Sequence, residues 1–136
     1  MRPRIAPRAA AIAFIGLIAV VVLGGCATPD RGASIATFQI ADGSTFKVLI
    51  TDPADLEIVD KLANSEDAPS IPNGAILREP GVNTEWSWSL DPDDFGFSDV
   101  VDSSCNATPQ EIEDGTFEGD RYCPWSAIVV ALEPAP

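Results

Sequence analysis

A cysteine thiol with a defined chemical role closes the N-terminal segment, in the sequence Leu23-Gly24-Gly25-Cys26. An uncharged run from Ala9 to Gly25 precedes it, and three arginines stand before that run. A basic start, an apolar stretch and small residues before the cut are typical of a secretory signal peptide. Because cysteine directly follows the cut, the pattern is a bacterial lipobox, in which the thiol takes a diacylglyceryl group. We therefore expect residues 1–25 to be removed and the mature chain to begin at a lipid-modified Cys26.

The same apolar run permits an alternative, an uncleaved membrane anchor, although its 17 residues lie at the short limit for a spanning helix. Both interpretations place the rest of the chain outside the cytoplasm, attached to the bacterial cell membrane at its N-terminus. No later segment is long and apolar enough to span a bilayer. Composition then predicts a tether over residues 26–34, a single domain over residues 35–133 and a tail over residues 134–136.

Two further cysteines, Cys105 and Cys123, remain after Cys26 is assigned to lipid. An even pair in an oxidising compartment predicts a disulfide bond, which stabilises a small domain. A redox pair or a thiolate metal site is the alternative, but the two cysteines lack the Cys-x-x-Cys spacing of such sites.

Carboxylates are dense between Asp91 and Asp102 and are the weak metal candidates of this chain, as Asp91, Asp93, Asp94 and Asp99. Part of their spacing matches a calcium-binding EF-hand loop, but Phe95 stands where an oxygen ligand belongs, and the flanking helices are missing. We therefore expect a solvated acidic turn, with a calcium site of another kind as the alternative. We expect no metal and no cofactor elsewhere.

The sequence contains no histidine, which excludes imidazole metal sites and every catalytic triad that uses a histidine base. Serines, lysines and carboxylates are present, but none has the spacing of an activated nucleophile. We expect no enzymatic activity, and a small hydrolase that uses two carboxylates stays as the alternative.

Acidity is the main compositional feature of the mature chain. Removal of residues 1–25 leaves five basic and 21 acidic residues, a formal net charge of −16. Such a surface repels phosphate backbones and anionic lipid headgroups, which argues against nucleic-acid binding. The acidity is explained by solubility or adaptation to salt, and the alternative is recruitment of a basic partner.

The elements that must position these residues begin with two strands, Ala36 to Ile40 and Thr45 to Thr51. Their apolar residues share a face only if the turn at Asp42-Gly43 has an odd length or an adjacent bulge. Asp52 as N-cap and Pro53 at the first position then predict a helix that ends near Asn64. Its buried stripe is predicted as Leu56, Val59, Leu62 and Ala63.

After a loop that runs to Gly74, further strands are predicted at Ala75 to Leu77, Glu85 to Leu90, Phe95 to Val101 and Ser126 to Leu132. Thr108 as N-cap, with Glu111 three residues later and Gly115 as the stop, predicts a short helix between the two cysteines. Together these elements predict an α+β fold, mainly antiparallel β-sheet with one longer and one short helix and one disulfide.

Trp86 and Trp88 alternate with serines, so a strand would point both indoles to one side. A packing role in the core is the expectation, and an exposed platform for a sugar or peptide is the alternative. Trp125, which follows Cys123-Pro124, is expected to cover the disulfide.

Three segments carry a resemblance to a known family. They are Asn83 to Pro92 (NTEWSWSLDP), the stretch from Cys105 through Pro109 to Ile112-Glu113, and Tyr122 to Ser126 (YCPWS). Together they resemble the N-terminal domain of the seventy-four-kilodalton calmodulin-binding protein, whose pattern has an asparagine before a Trp-x-aromatic strand and a terminal Cys-Pro-Trp. The opening strand pair and the Asp52-Pro53 helix are similar to it as well.

This resemblance implies the family's fold over nearly all of the mature domain, and it adds Asn83 to Trp86 and Trp88 as a candidate ligand contact. Calmodulin binding is not expected, because calmodulin's targets are usually basic amphipathic helices and this chain presents none. We expect an extracytoplasmic, lipid-anchored module of the cell envelope that binds an unknown protein or small ligand or has a structural role. A hydrolase and a calcium-dependent binding module are the alternatives.

Overall fold

Two hydrogen-bonded strands open the part of the chain that the computed structural model describes, which is residues 32–136. Strand β1 (Ser34–Gln39) pairs antiparallel with β2 (Thr45–Ile50), with Phe38 opposite Phe46. The predicted pair is therefore confirmed, and the apolar residues that alternate along both strands are buried on one face. Signal peptide, Cys26 and most of the predicted tether lie outside the described residues.

The turn between β1 and β2 has the odd length that the sequence required. Ile40 N–H donates to Ser44 O over 3.0 Å, which leaves a three-residue loop of Ala41, Asp42 and Gly43. Gly43 has a φ of 89°, a conformation that glycine adopts without strain. The loop thus keeps Phe38 and Ile40 on the same face as Phe46.

Helix α1 (Pro53–Ala63) begins as predicted, because the Asp52 carboxylate accepts the backbone N–H groups of Ala54 and Asp55. Asn64 is its C-cap. Leu56 and Val59 are buried, whereas Leu62 is half-buried and Ala63 is exposed. The predicted stripe was therefore one residue too long, since the last turn of the helix leaves the sheet that covers the first two.

Strand β7 (Ile128–Pro134) completes the first sheet, whose order is β2, β1, β7. It pairs antiparallel with β1, and a bulge places Val129 rather than Val130 opposite Phe38. The predicted closing strand is present, but it continues into the predicted tail, because Ala135 N–H still donates to Ala33 O over 2.8 Å. The first and last described residues therefore lie side by side.

A second sheet forms around strand β3 (Ile71–Leu77). It pairs antiparallel with the short strands β4 (Ser89–Leu90), β5 (Gly96–Ser98) and β6 (Arg121–Tyr122). The sequence predicted a loop as far as Gly74, which is wrong. Gly74 is a strand residue because a Cβ there would lie 3.4 Å from Leu90 Cβ, so glycine allows close packing. Strand β6 was missed.

The predicted strands at Glu85 to Leu90 and Phe95 to Val101 are also shorter in the structure, which restricts them to β4 and β5. Residues 84–87 form turns, because backbone and side-chain bonds of Asn83 hold the chain there. The sequence pattern alternated as a strand does, but tertiary contacts override that local preference.

Aromatic side chains from both sheets fill the core. Phe46 contacts Phe38, Trp88 and Tyr122, with ring centroids 5.2 to 6.2 Å apart. Phe95 and Phe97 extend the cluster on the other side of Phe38. Burial of these rings is the main source of stability. The fold is α+β and mainly antiparallel, as predicted.

Helix α2 (Pro109–Glu113) lies between the two cysteines, as predicted, and has a complete capping box. Thr108 Oγ1 accepts Glu111 N–H, and the Glu111 carboxylate accepts Thr108 N–H. A 3-10 helix (Ser103–Cys105) precedes it, capped by Asp102. Within residues 32–136, no helix has the length and apolar composition needed to cross a bilayer.

Candidate functional site

An open cleft of about 640 Å³ lies beside the cysteine pair. Three separate segments form it: Asn73 of β3, the chain between β5 and the 3-10 helix, and the chain that enters β6. The lining residues outside β3 are Val100, Val101, Asp102, Ser104, Cys105, Gly119, Asp120 and Arg121. We call this feature the disulfide cleft.

Cys105 and Cys123 form a disulfide, with their Cα atoms 5.2 Å apart. Both cysteines are buried, with exposed fractions of 8% and 0%. Backbone bonding supports the bridge, since Cys123 N–H donates to Cys105 O over 2.8 Å. The predicted bond is therefore present, and it fixes the 3-10 helix against β6, so that one wall of the disulfide cleft is rigid.

The charges of the disulfide cleft are unevenly paired. Arg121 forms an ion pair with Asp94, whose carboxylate also accepts Ala75 N–H over 2.9 Å. Asp102 accepts Ser104 N–H over 2.7 Å, and this hydrogen bond lowers the pKa of the Asp102 carboxyl. Asp120 has no side-chain partner in residues 32–136. The cleft therefore carries two carboxylates beside a cation that is already neutralised.

Asn73 supplies a polar group from the strand side of the disulfide cleft. Its amide nitrogen lies 3.5 Å from Ser98 Oγ, a weak hydrogen bond. Its side-chain oxygen is buried and accepts no hydrogen bond from the described part of the chain. Buried acceptors without a donor are uncommon in folded proteins, so this oxygen is a distinctive feature of the cleft.

The candidate ligand contacts Asn83, Trp86 and Trp88 come together, but in structural roles. Asn83 is 2% exposed, accepts Lys47 N–H over 2.8 Å and donates to Trp88 O over 3.0 Å. Trp88 is 1% exposed and belongs to the core. The packing role expected of Trp88 thus agrees with the structure, and neither residue presents a surface to a ligand.

Trp86 is half-buried and does not lie on a strand with Trp88. Its indole N–H donates to Thr45 O over 2.8 Å, and its ring centroid lies 6.4 Å from that of Trp88. The prediction that a strand presents both indoles on one face is wrong, because the turns after Asn83 direct Trp86 back onto β2. Trp86 and Asn83 instead occupy hydrogen-bonding groups on the outer edge of β2.

Trp125 is 51% exposed, so it does not form a buried cover for the disulfide as expected. Its backbone N–H donates to Asn106 Oδ1 over 3.2 Å, and Pro124 before it is buried. The proline, rather than the tryptophan, packs inside next to Cys123.

The weak metal candidates have individual structural roles. Asp91 accepts Asp93 N–H over 2.9 Å and so forms the acidic turn, while Asp94 pairs with Arg121. Asp93 and Asp99 are exposed. Within the described residues, no group of three or more acidic or cysteine side chains converges in a way that could hold a metal ion.

Comparison with known families now bears on the chain as a whole. The sequence model of the N-terminal domain of the seventy-four-kilodalton calmodulin-binding protein matches residues 33–136. The chain belongs to this N-terminal domain family. The resemblance seen in the sequence is thus confirmed, and the residues matched to the family include both sheets, both helices and the disulfide cleft. No curated protein and no solved structure matches the chain.

Sequence reasoning missed the disulfide cleft of this family member. Asn73 and Asp120 lie 47 positions apart, and each has ordinary neighbours in the sequence. The usable signal was the predicted disulfide, because a bridge between Cys105 and Cys123 brings Asp102 close to the segment that holds Asp120. A search around that bridge would have found most of the lining.

Proposed function

We propose that this protein is a lipid-anchored, extracytoplasmic binding module of the bacterial cell envelope, attached to the membrane through Cys26. The observation that carries the proposal is the buried Cys105–Cys123 disulfide, because such bonds form and persist in oxidising compartments. The lipobox at Leu23-Gly24-Gly25-Cys26 supports the same location from the sequence.

A binding role is supported by the disulfide cleft. Ligand sites are typically concave, and they combine apolar surface with a few polar groups. The cleft has both, with Val100 and Val101 beside Asp102, Asp120 and Asn73. The acidic surface of the chain selects against nucleic acids as ligands.

A hydrolase is the second candidate function, because Asp102 and Asp120 line the same cleft. A carboxylate pair works in hydrolysis when one member stays protonated as a general acid. The lowered pKa of Asp102 opposes that role, since this carboxyl is ionised at neutral pH. Turnover of chromogenic esters or glycosides that is lost in Asp120→Asn would favour the hydrolase over the binding module.

The location is tested by intact-mass analysis of the full chain expressed in a bacterial host, with and without reduction. We expect a species that begins at Cys26, carries added lipid mass, fractionates with membranes and gains two hydrogens on reduction. In Cys26→Ala the lipid mass and the membrane association should disappear while the disulfide remains. The matched double variant Cys105→Ala/Cys123→Ala should keep the lipid. An unprocessed chain with free thiols would refute the proposal.

A further inference from the structure

We propose that the disulfide cleft binds an organic cation, an alkylammonium or guanidinium group carried on a short alkyl chain. This inference rests on the proposed binding function and names the ligand class of that site. The argument uses the charges, the apolar wall and the unpaired acceptor of the cleft.

The charges of the cleft favour a cation. Arg121 already pairs with Asp94, so it has little attraction left for an anionic ligand. Asp102 and Asp120 remain as carboxylates without a cationic partner in the described part of the chain. A concave site with one sign of charge concentrates ligands of the opposite sign. The net charge of −16 on the mature chain strengthens that field and repels anions.

The apolar wall favours a cation with a hydrocarbon stem over a bare metal ion. Val100 is 86% exposed at the rim, and Val101 lies next to it in the lining. Lysine and arginine side chains place their methylene stems on such surfaces while their charged ends contact polar groups. An inorganic cation would gain nothing from these valines.

The unpaired acceptor favours a ligand with several N–H groups. Asn73 Oδ1 is buried and has no donor in residues 32–136. Ammonium and guanidinium groups carry only donors, three and five respectively. One such group can therefore satisfy carboxylate and amide oxygens together, which a neutral sugar hydroxyl cannot do with the same charge assistance.

Isothermal titration of the full processed chain in detergent tests the proposal, at about 0.15 M salt to screen charges beyond about 8 Å. The probes are 1,5-diaminopentane, a blocked tripeptide with one central lysine or arginine, and glutarate as the anionic counterpart. We expect binding of a cationic probe, none of glutarate, and an affinity about tenfold or more lower in Asp102→Asn/Asp120→Asn. Asparagine also caps helices, so Asp102→Asn preserves the 3-10 helix.

Glu133→Gln is the matched control, because it removes one carboxylate from β7, outside the lining of the disulfide cleft. It should leave the affinity unchanged. Binding of the diamine would indicate a free amine as the natural ligand, and binding of the peptide alone would indicate a basic side chain of a protein. No binding of either cation, or an equal loss in Glu133→Gln, would overturn the inference.

The outcomes separate this inference from the proposed location. A lipid-bearing chain that binds neither cation would refute the ligand class and leave the anchoring intact. A chain that binds the cations but carries no lipid on Cys26 would do the reverse.

Discussion

The carboxamide of Asn83 connects two parts of the fold at the scale of a single residue. Its oxygen accepts Lys47 N–H from β2, and its nitrogen donates to Trp88 O in the core. Buried backbone groups that lose their partners destabilise a protein more than an average hydrogen bond stabilises it. Asn83 is therefore a structural residue whose loss affects both sheets.

We predict that Asn83→Ala lowers the free energy of unfolding by about 2 to 4 kcal/mol, because it leaves one buried donor and one buried acceptor unpaired. Urea denaturation followed by tryptophan fluorescence measures the change. Asn64→Ala is the matched control, since that exposed amide bonds only Asp60 O at the end of α1, and it should cost less than about 1 kcal/mol. Equal losses in the two variants would contradict the role of Asn83.

Tyr122 is the only tyrosine of the chain, and its phenol is fully buried. Burial raises the pKa of Tyr122 far above its ordinary value of 10.0, and the negative charges of Asp42 and Glu111 raise it further. The folded state therefore keeps the proton, whereas the unfolded chain loses it above pH 10.0. The contribution of this group to stability is complete below that pH and is lost as the pH rises beyond it.

We predict that tyrosinate absorbance appears only together with unfolding in an alkaline titration. Above the ordinary pKa, this residue should lower stability by about 1.4 kcal/mol per pH unit. Tyr122→Phe should remove that slope, and it should not destabilise the protein at neutral pH, because the hydroxyl has no hydrogen-bond partner in residues 32–136. Tyrosinate formation while the core fluorescence is still native would contradict the prediction.

Helix α2 shows how the structure depends on signals at the scale of an element. It has five residues and lies within the loop that the disulfide closes. Isolated helices of this length are unstable in water, so the capping box and the buried Ile112 hold it in place. Its Glu113 carboxylate also accepts Ser87 N–H over 2.9 Å and thereby ties the turns after Asn83 to the helix.

We predict that Thr108→Ala destabilises the domain by about 1 kcal/mol, because Glu111 N–H loses its acceptor at the N-terminus of α2. Thermal unfolding followed by circular dichroism gives the magnitude. Thr108→Ser keeps the hydroxyl and should retain most of the stability. A serine variant as unstable as the alanine variant would show that the methyl group, rather than the cap, matters.

Elements with local chemical signals were predictable from the sequence. The Asp52-Pro53 start of α1, the capping box at Thr108 and the odd turn near Gly43 all depend on residues within a few positions of each other. The strand predicted through Trp86 failed, because its alternation is local while the bonds of Asn83 and Trp86 reach β2 about 40 residues away.

The candidate site was harder to predict for the same reason. Asn73, Asp102 and Asp120 come from three segments that meet only after the second sheet has formed. Spacing along the chain cannot reveal such a set, because none of the three belongs to a local motif. The disulfide was predictable from cysteine count and compartment, and it marks the place where these segments meet.

The whole molecule depends on the bond between Cys105 and Cys123, which closes a loop of 18 residues in sequence. A domain of about a hundred residues has a small core, so a cross-link that restricts the unfolded chain makes a large contribution. This loop contains α2 and leads into β6, and it therefore spans one wall of the disulfide cleft.

We predict that reduction of this disulfide lowers the free energy of unfolding by about 3 kcal/mol. Guanidinium denaturation with and without a reducing agent measures the effect. The double variant Cys105→Ala/Cys123→Ala should be equally destabilised and insensitive to the reducing agent. A reduced protein as stable as the oxidised one would contradict the role of the bond as a support for the small core.

The adjacency of Ala33 and Ala135 determines how the domain responds to force. Because β1 and β7 are antiparallel, a pull applied at these two residues opens their hydrogen-bonded pairs one after another, as a zipper opens. Strand β7 therefore detaches at low load. The segment between the cysteines carries no tension, since the covalent bridge bypasses it, and Asp120 and Arg121 are mechanically shielded even while the first sheet comes apart.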